Sequence, residues 1–247
     1  MFYISEINGK RVIKSSKLVG LEHCFTTRET VICSDEADMQ SIIKRNKLEL
    51  CRYFQIKPEN LIKPTQTHSS NVKFVQNKKH SYPDTDAIIL TEKNQAAYMN
   101  FADCTPIILY DAKLNVAAIV HAGWRGTVGK IVMKTIFKME QELNSCMEDV
   151  IAVIGPTIGK CCYEIGEEVY EQLRAVVDTE TQEDCFLISN KKIYADLKRI
   201  NQYQILSTGI DKIDIIPYCT CCNNDKFFSH RKENRTTNRH SAIVKLI

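Results

Sequence analysis

The spacing of hydrophobic positions along the chain changes several times, and each spacing predicts a type of element. Two short apolar runs, 115–120 and 149–154, are rich in β-branched residues, as buried strands are. A glycine cluster follows each run, and beyond it apolar residues recur every three or four positions, as on one face of a helix. We therefore predict two strand–loop–helix units, with helical faces within 131–143 and 169–177.

The same patterns predict six more strands and two more helices. The strands fall at 71–76, 86–91, 96–101, 106–110, 212–217 and 241–247, and the helices at 40–53 and 194–207. Strands outnumber helices and occur in consecutive groups, so a simple doubly wound parallel sheet fits poorly. We predict an α/β fold in which helices pack outside mixed β-sheets, as one layered domain over residues 1–247.

Composition and charge narrow the range of partners. The chain has 247 residues, is 44% hydrophobic and carries a formal net charge of only +3. This balance gives no global reason to expect a nucleic acid or an anionic membrane as partner. No apolar stretch has the length of a membrane helix, and no targeting segment is visible, so we expect a cytoplasmic location. The 11 cysteines should then be thiols or metal ligands.

Three short segments at predicted strand–loop junctions carry side chains that bind metals. They are Pro64-Thr-Gln-Thr-His68, Ala102-Asp-Cys-Thr-Pro106 and Val120-His-Ala-Gly-Trp-Arg-Gly126. Two imidazoles and one thiolate, from His68, His121 and Cys104, suit zinc and would leave a fourth tetrahedral position for water or substrate. The spacing by itself leaves a second interpretation open, in which these are two ordinary histidines and a core thiol.

These segments resemble the signature blocks of the YfiH family, also known as DUF152 or the multicopper polyphenol oxidoreductases. The matching stretches are TQTHSSNV, DTDAIIL, ADCTPIILYD, AAIVHAGWRGTVGKI, IGPTIGKCCYEIGEEV and CTCCNNDKFFSHRKENRTTNRHSAIVKLI. They cover most of the chain from about Ile62 to Ile247, in family order. The resemblance implies mixed sheets sandwiched by helices, shared at a distance with cytotoxic-necrotizing-factor toxins. It also implies a zinc ion held by His68, Cys104 and His121.

The resemblance further implies an enzyme that acts on purine nucleosides. The implied reactions are phosphorolysis of adenosine, inosine and methylthioadenosine, and deamination of adenosine, so the small-molecule partners would be purine nucleosides and phosphate. The older family label implies copper and polyphenol oxidation, but multicopper centres need many imidazoles, and this chain has 6 histidines with no His-x-His pair.

Two other classes of function stay open. One is a hydrolase or amidase that edits peptidoglycan precursors, with Cys104 as nucleophile or zinc ligand. The other is a non-catalytic binding protein in which zinc only holds the fold. Phosphate dependence would separate the first class from a phosphorylase, and metal removal would identify the second.

Candidates for the reaction itself surround the predicted ligands. Asp103 is a candidate general acid or base, although it could equally cap a turn or orient a zinc-bound histidine. Arg125 lies in the glycine-rich turn after His121 and could clamp phosphate at a helix N-terminus. Arg231 is a second candidate phosphate clamp.

Two further residues are candidate substrate contacts. Gln66 precedes His68 by two positions, so it would lie on the same side of a continuing strand and could orient water or substrate. Arg28 belongs to a family block that usually continues as a Gly-Gly-Val-Ser turn. Residues 29–33 replace that turn here, so a substrate contact from Arg28 is an expectation only.

A group of cysteines near the C-terminus suggests half of a second metal site. Cys219, Cys221 and Cys222 are close in sequence, but no Cys/His pair at the usual spacing completes a site, and His230 would have to serve. We therefore expect no second metal there. The Cys161-Cys162 pair is expected to be structural or to line the site.

Overall fold

The computed structural model describes residues 1–76 and 81–247. Its strands are Phe2–Ile7 (β1), Lys10–Ser15 (β2), Leu21–Thr26 (β3), Leu61–Ile62 (β4), Val72–Phe74 (β5), Ala87–Leu90 (β6), Ala96–Phe101 (β7), Thr105–Asp111 (β8), Val116–Ala122 (β9), Val150–Ile154 (β10), Glu164–Ile165 (β11), Phe186–Ser189 (β12), Lys192–Ala195 (β13), Ile213–Ile215 (β14) and His240–Leu246 (β15). Its α-helices are Gln40–Tyr53 (α1), Trp124–Val128 (α2), Ile131–Leu143 (α3), Glu167–Arg174 (α4), Gln182–Cys185 (α5) and Leu197–Leu206 (α6). None of the helices in the described ranges has the length and apolar character needed to cross a membrane.

Two six-stranded sheets form the centre of the protein. The strand order is β1-β2-β3-β15-β7-β4 in the first sheet and β14-β10-β8-β9-β6-β5 in the second. Most neighbouring strands are antiparallel, whereas β4 with β7, β5 with β6 and β10 with β14 are parallel. A smaller sheet, β11-β13-β12, lies apart from both. Both large sheets are therefore mixed, as predicted.

The two large sheets pack face to face between helices. Phe25 of the first sheet and Ile119 of the second belong to the core between them. The other face of the second sheet packs against α3, where Ile136 is fully buried. The other face of the first sheet packs against Leu50 of α1. This layered arrangement confirms the predicted fold class.

The strands β8 and β9 are buried at every position. Both faces of the second sheet are covered, one by the first sheet and the other by helices, so these strands have no solvent side. That burial explains the uninterrupted apolar run that predicts β9. It also makes β8 and β9 a rigid support for residues at their ends.

The predicted helices agree with the structure except at some ends. The predictions for 40–53 and 131–143 coincide with α1 and α3, and the face within 169–177 belongs to α4, which starts earlier and ends at Arg174. The prediction for 194–207 begins too early, because β13 runs to Ala195. Helix α6 starts at Leu197, where the Asp196 side chain accepts a hydrogen bond from the backbone N of Arg199 at 3.1 Å.

Candidate metal centre and pocket

The second sheet and one loop bring the three predicted metal ligands together. His121 lies in β9 opposite Pro106 of β8, so Cys104, just before β8, is carried to the same end of the sheet. His68 comes from the loop between β4 and β5 and has a left-handed backbone, with φ of 63°. The ligating atoms of the three residues all lie within 4.8 Å of one another. We call this group the His–Cys–His cluster.

Asp86, which sequence analysis did not single out, fixes two members of the cluster. Nδ1 of His121 donates a hydrogen bond to Oδ1 of Asp86 at 2.7 Å. The carboxylate also accepts from the backbone nitrogens of Thr67 and His68, both at 3.1 Å, and of Ser69 at 2.8 Å. The loop that carries His68 therefore wraps around the carboxylate, and Nε2 of His121 is left to bind a metal.

The charges of the cluster depend on one another. Burial alone would raise the pKa of Cys104, but the charge of His121 and hydrogen bonds from both histidines lower it to about 6. Burial would lower the pKa of His121, yet Cys104 and Asp86 raise it to about 9. Burial also acts to raise the pKa of Asp86, but the hydrogen bond and charge of His121 hold it well below its ordinary range. At neutral pH and without metal, Cys104 is therefore a thiolate beside an imidazolium.

Gly123 provides the space that the cluster needs. A Cβ atom at this position would lie 3.0 Å from Sγ of Cys104 and 3.1 Å from Cδ2 of His68. The residue is also the N-cap of α2, with φ of −73°, a backbone conformation open to any amino acid. Close approach to the two ligands, rather than backbone conformation, therefore accounts for glycine here.

The cluster lies in the wall of a pocket of about 640 Å³. Pockets of this volume bind small molecules and cofactors. The predicted residues Gln66, Asp103, Arg125 and Arg231 line the same pocket. Other lining residues with polar or aromatic side chains include Lys63, Asn100, Trp124, Tyr163, His230 and Arg239. The structure thus gathers seven of the eight predicted site residues around one cavity.

Asp103 holds the segment before β15 at the wall of the pocket through hydrogen bonds. Its backbone is left-handed, with φ of 84°, and its side chain is buried. Oδ1 accepts a hydrogen bond from the Thr220 hydroxyl at 2.6 Å, and Oδ2 accepts one from the backbone N of Arg231 at 2.7 Å. These contacts engage both carboxylate oxygens and place Asp103 as a support for Arg231.

Gln66 and Arg28 make contacts within the protein. The Gln66 amide accepts from the backbone N of Asn100 and donates to its carbonyl oxygen, both at 2.9 Å, which attaches the loop before His68 to β7. Arg28 is the predicted residue that does not line the pocket. It donates to the carbonyl oxygen of Asn224 and pairs with Glu233 at 3.6 Å. Arg28 therefore supports the segment from Asn224 to Glu233, which contains Arg231.

Two arginines reach the pocket beside aromatic rings. The guanidinium of Arg125 lies 4.2 Å from the ring centre of Trp124. That of Arg231 lies 5.3 Å from the ring centre of Tyr163, and its Nη1 donates to the carbonyl oxygen of Cys162 at 3.4 Å. Stacked guanidinium groups keep their N–H edges available for phosphate or carboxylate. The pocket therefore offers cations for an anion and aromatic surface for a planar group.

These observations define the class of protein: it has a layered α/β fold and a His₂Cys cluster in the wall of a pocket. The sequence model of the family described as multi-copper polyphenol oxidoreductase laccase matches residues 23–247. The chain belongs to this family, known also as DUF152 or YfiH.

Individual relatives cover most of the chain. A purine nucleoside phosphorylase of Bacteroides thetaiotaomicron is 32% identical over 241 residues, which cover 88% of each chain. Adenosine deaminase RL5, from an unknown prokaryotic organism, is 26% identical over 234 residues, covering 86% of this chain and 89% of RL5. The crystal structure of the hypothetical protein YfiH of Bacillus licheniformis matches 98% of both chains with a TM-score of 0.89 and 23% identity. This last match confirms the fold.

Proposed function

We propose that this protein is a zinc-dependent purine nucleoside phosphorylase that acts on adenosine, inosine and methylthioadenosine and also deaminates adenosine. The observation that carries the proposal is a metal-ligand cluster and two arginines, Arg125 and Arg231, around one pocket of small-molecule size. The names of the relatives support the same substrate class, since they include a purine nucleoside phosphorylase and an adenosine deaminase.

The donor set of the His–Cys–His cluster fits zinc. Imidazole nitrogen and thiolate sulfur are ordinary zinc ligands, and three protein ligands leave one position for a small molecule. When bound, zinc would supply Lewis acidity at the wall of the pocket. A blue-copper site would combine the same donors with a distant methionine, and no methionine is among the described residues that line this pocket. The donor set therefore supports zinc over the copper of the family label.

Phosphorolysis requires an anion beside the ribose and a leaving purine on its other side. A phosphate oxygen forms a bond to C1′ while the bond from C1′ to the purine nitrogen breaks, and the purine takes up a proton. Arg125 and Arg231 would hold the phosphate through paired N–H groups. Helix α2 has only five residues, so its dipole adds little, and the arginines must supply most of the positive charge.

The base would bind against aromatic surface. The rings of Trp124 and Tyr163 line the pocket, and each lies next to one of the two arginines. Stacking of a planar purine on such a ring would place the attached ribose near the guanidinium groups. Trp124 and Tyr163 would therefore help to set base orientation.

Deamination would use the same pocket with water in place of phosphate. A water oxygen adds to the purine carbon that carries the amino group, and the amino group leaves as ammonia after gaining a proton. His230 lines the pocket, and burial together with the charge of Arg239 lowers its pKa. A neutral imidazole at physiological pH can accept and return a proton. We assign Asp103 a positioning role toward Arg231, since both of its oxygens already accept hydrogen bonds.

The direct test measures base release from adenosine and inosine by the zinc-loaded protein, with and without phosphate. We expect phosphate-dependent release that is abolished in His121→Ala. Arg125→Ala should lower kcat/KM by roughly 10- to 100-fold, because a charge-assisted hydrogen bond contributes about 1.5–3 kcal/mol. Arg45→Ala, an exposed arginine of α1, is the matched control and should have no effect. Zinc-loaded protein that forms no base, ribose phosphate or deaminated product would contradict the proposal.

A second candidate, hydrolysis of an amide by Cys104, is favoured by one observation. Cys104, His121 and Asp86 would serve as nucleophile, proton donor and orienting carboxylate of a hydrolytic triad, and the pKa of Cys104 is lowered to about 6. A metal on the thiolate would block this reaction. Chelation should therefore increase amide hydrolysis if this candidate holds, whereas it should abolish nucleoside turnover if the first proposal holds.

A further inference from the structure

Four cysteines meet beside the pocket, apart from the His–Cys–His cluster. Cys161 and Cys162 lie in the loop after β10, and Cys219 and Cys222 lie in the loop after β14. Their four sulfur atoms all lie within 4.8 Å of one another. Sγ of Cys222 is 3.4 Å from Sγ of both Cys161 and Cys162. The thiols that sequence spacing did not provide thus come from two adjacent residues, Cys161 and Cys162, which lie within reach of Cys219 and Cys222.

We propose that these four cysteines bind a second zinc ion in a closed, structural site. A tetrahedral zinc with Zn–S bonds of about 2.3 Å holds its sulfur atoms about 3.8 Å apart. Two observed spacings are 3.4 Å and none exceeds 4.8 Å, so small side-chain rotations suffice. Cys219 and Cys222 also have the C-x₂-C spacing common in structural zinc sites. Four protein ligands leave no position for substrate, which distinguishes this site from the His–Cys–His cluster.

The surroundings of the four sulfur atoms suit a negatively charged metal site. The backbone N of Gly159 donates a hydrogen bond to Sγ of Cys219 at 3.3 Å. The ammonium of Lys198 is buried and donates to the carbonyl oxygens of Ile216 at 2.8 Å and Tyr218 at 3.2 Å, directly before Cys219. Donors and cations of this kind offset the excess charge of a tetrathiolate zinc centre.

A shared ion explains the arrangement better than a disulfide does. One disulfide leaves two of the four thiols free, and two disulfides join Cys222 to only one of its sulfur neighbours. Cys222, however, has two sulfur neighbours at the same distance of 3.4 Å. An ion in the middle of the group satisfies all four thiolates together, each thiol losing its proton to solvent on binding.

The proposed site would fix the wall of the pocket that carries Arg231. The first loop holds Tyr163, which lies under the Arg231 guanidinium, and the carbonyl of Cys162, which accepts from it. The second loop holds Thr220, whose hydroxyl donates to Asp103 at 2.6 Å. Zinc would join these loops outside the pocket, since none of the four cysteines is among the described residues that line it. Its role would be to position Tyr163 and Arg231.

Zinc stoichiometry from native mass spectrometry tests the proposal on protein purified with reductant and dialysed. We expect Cys219→Ser and Cys222→Ser each to bind one zinc fewer per chain than the unmodified protein. Cys221→Ser is the matched control, because this neighbouring thiol is outside the group of four, and it should lose none. The difference of one zinc holds whether or not the His–Cys–His cluster is loaded, so the outcome is independent of the proposed function.

X-ray absorption at the zinc edge gives a second readout that leaves all four cysteines intact. In His68→Ala, the remaining zinc should have four sulfur neighbours at about 2.3 Å. Two results would overturn the proposal: equal zinc content in Cys222→Ser and Cys221→Ser, or a zinc in His68→Ala with nitrogen neighbours. The spectroscopic result stands even if the serine variants fold poorly.

Discussion

Nδ1 of His121 donates to Oδ1 of Asp86 at 2.7 Å, and the same carboxylate accepts from the backbone of the loop that carries His68. One buried carboxylate therefore orients the ring of one candidate metal ligand and the backbone of another. Such an arrangement sets the geometry of the ligands before the metal binds, which lowers the entropic cost of binding. Asp86 therefore accepts hydrogen bonds from the backbone nitrogens of residues 67–69 as well as from the ring of His121.

Replacement of Asp86 should therefore weaken the metal centre. In Asp86, Oδ1 accepts from His121 and the backbone N of His68, and Oδ2 accepts from the backbone N of Thr67 and Ser69. The variant Asp86→Asn keeps only one acceptor oxygen and therefore loses one of these two sets. We expect zinc affinity to fall by about 10- to 100-fold, measured by competition with a chromogenic chelator. Asp84→Asn is the matched control, since Asp84 accepts from Asn71 and Thr67 but contacts no member of the cluster. Equal losses in the two variants would contradict the role given to Asp86.

Gly123→Ala should disturb the same centre through space alone. The added methyl would lie 3.0 Å from Sγ of Cys104, closer than ordinary van der Waals contact, so the thiolate or the His68 ring must move. We expect weaker zinc binding with a preserved circular dichroism spectrum. Gly166→Ala is the control, because Gly166 is also a helix N-cap with extended backbone, and a Cβ there meets nothing within 4 Å. Unchanged zinc affinity in Gly123→Ala would show that the cluster tolerates this displacement.

Alkylation of Cys104 in metal-free protein should report its lowered pKa. The thiolate is the reactive form, and its pKa falls from 9.0 to about 6 mainly through the charge and hydrogen bond of His121, which outweigh burial. The rate of iodoacetamide labelling, followed by peptide mapping, should therefore rise through about pH 6 and then level off. Zinc should suppress the labelling. A midpoint near pH 9 would mean that the thiolate–imidazolium pair does not form.

His240 should make the fold sensitive to acid. Its ring is buried, neither ring nitrogen has a hydrogen-bond partner within the described protein, and burial lowers its pKa to about 3. Between about pH 3 and the ordinary value of 6.5, the unfolded chain takes up a proton that the folded protein does not. The free energy of unfolding should therefore fall as pH falls through this window.

The variant His240→Leu isolates this contribution, because leucine cannot titrate and needs no hydrogen bond. Chemical denaturation at several pH values should give a smaller loss of stability between pH 6.5 and pH 4 than in the unmodified protein. Thr105→Val serves as the control, since Thr105 is also buried, its hydroxyl has no hydrogen-bond partner within the described protein, and it does not titrate. An identical pH dependence in His240→Leu and the unmodified protein would show that His240 does not cause the acid sensitivity.

Some strands could be predicted from sequence because burial on both faces requires a nearly continuous run of apolar residues. β8 and β9 are apolar at nearly every position, and their predicted positions agree with the structure within a few residues. The first three strands carry a weaker pattern. β1 has mostly exposed or half-buried residues, and β3 pairs with β15, far along the chain, as well as with β2. The predicted strand 241–247 agrees with β15, but nothing in either segment indicates that β15 pairs with β3.

The residues of the candidate site could likewise be predicted from sequence only in part. Resemblance to a family singled out His68, Cys104 and His121, and the structure brings them together. Asp86 lies within the matching stretch DTDAIIL, but an aspartate before a strand usually ends a turn, and its role appears only when His121 is seen beside it. The partner of Cys219 and Cys222 was missed for a related reason. Its two thiols come from adjacent residues some distance away in sequence, a spacing that no metal-binding motif describes.

The central place of β15 in the first sheet has a consequence for biosynthesis. β15 lies between β3 and β7, and Ser241 bonds to the side chain of Thr26 across 215 positions of sequence. Five of the six strands of the second sheet lie between Val72 and Ile154 and leave the ribosome well before β15. Their inner face, including Ile119, must wait for the first sheet to close over it. A nascent chain with this order of strands exposes a long-lived apolar surface, so its yield in the cell should depend on chaperones that shield such surfaces until synthesis passes β15.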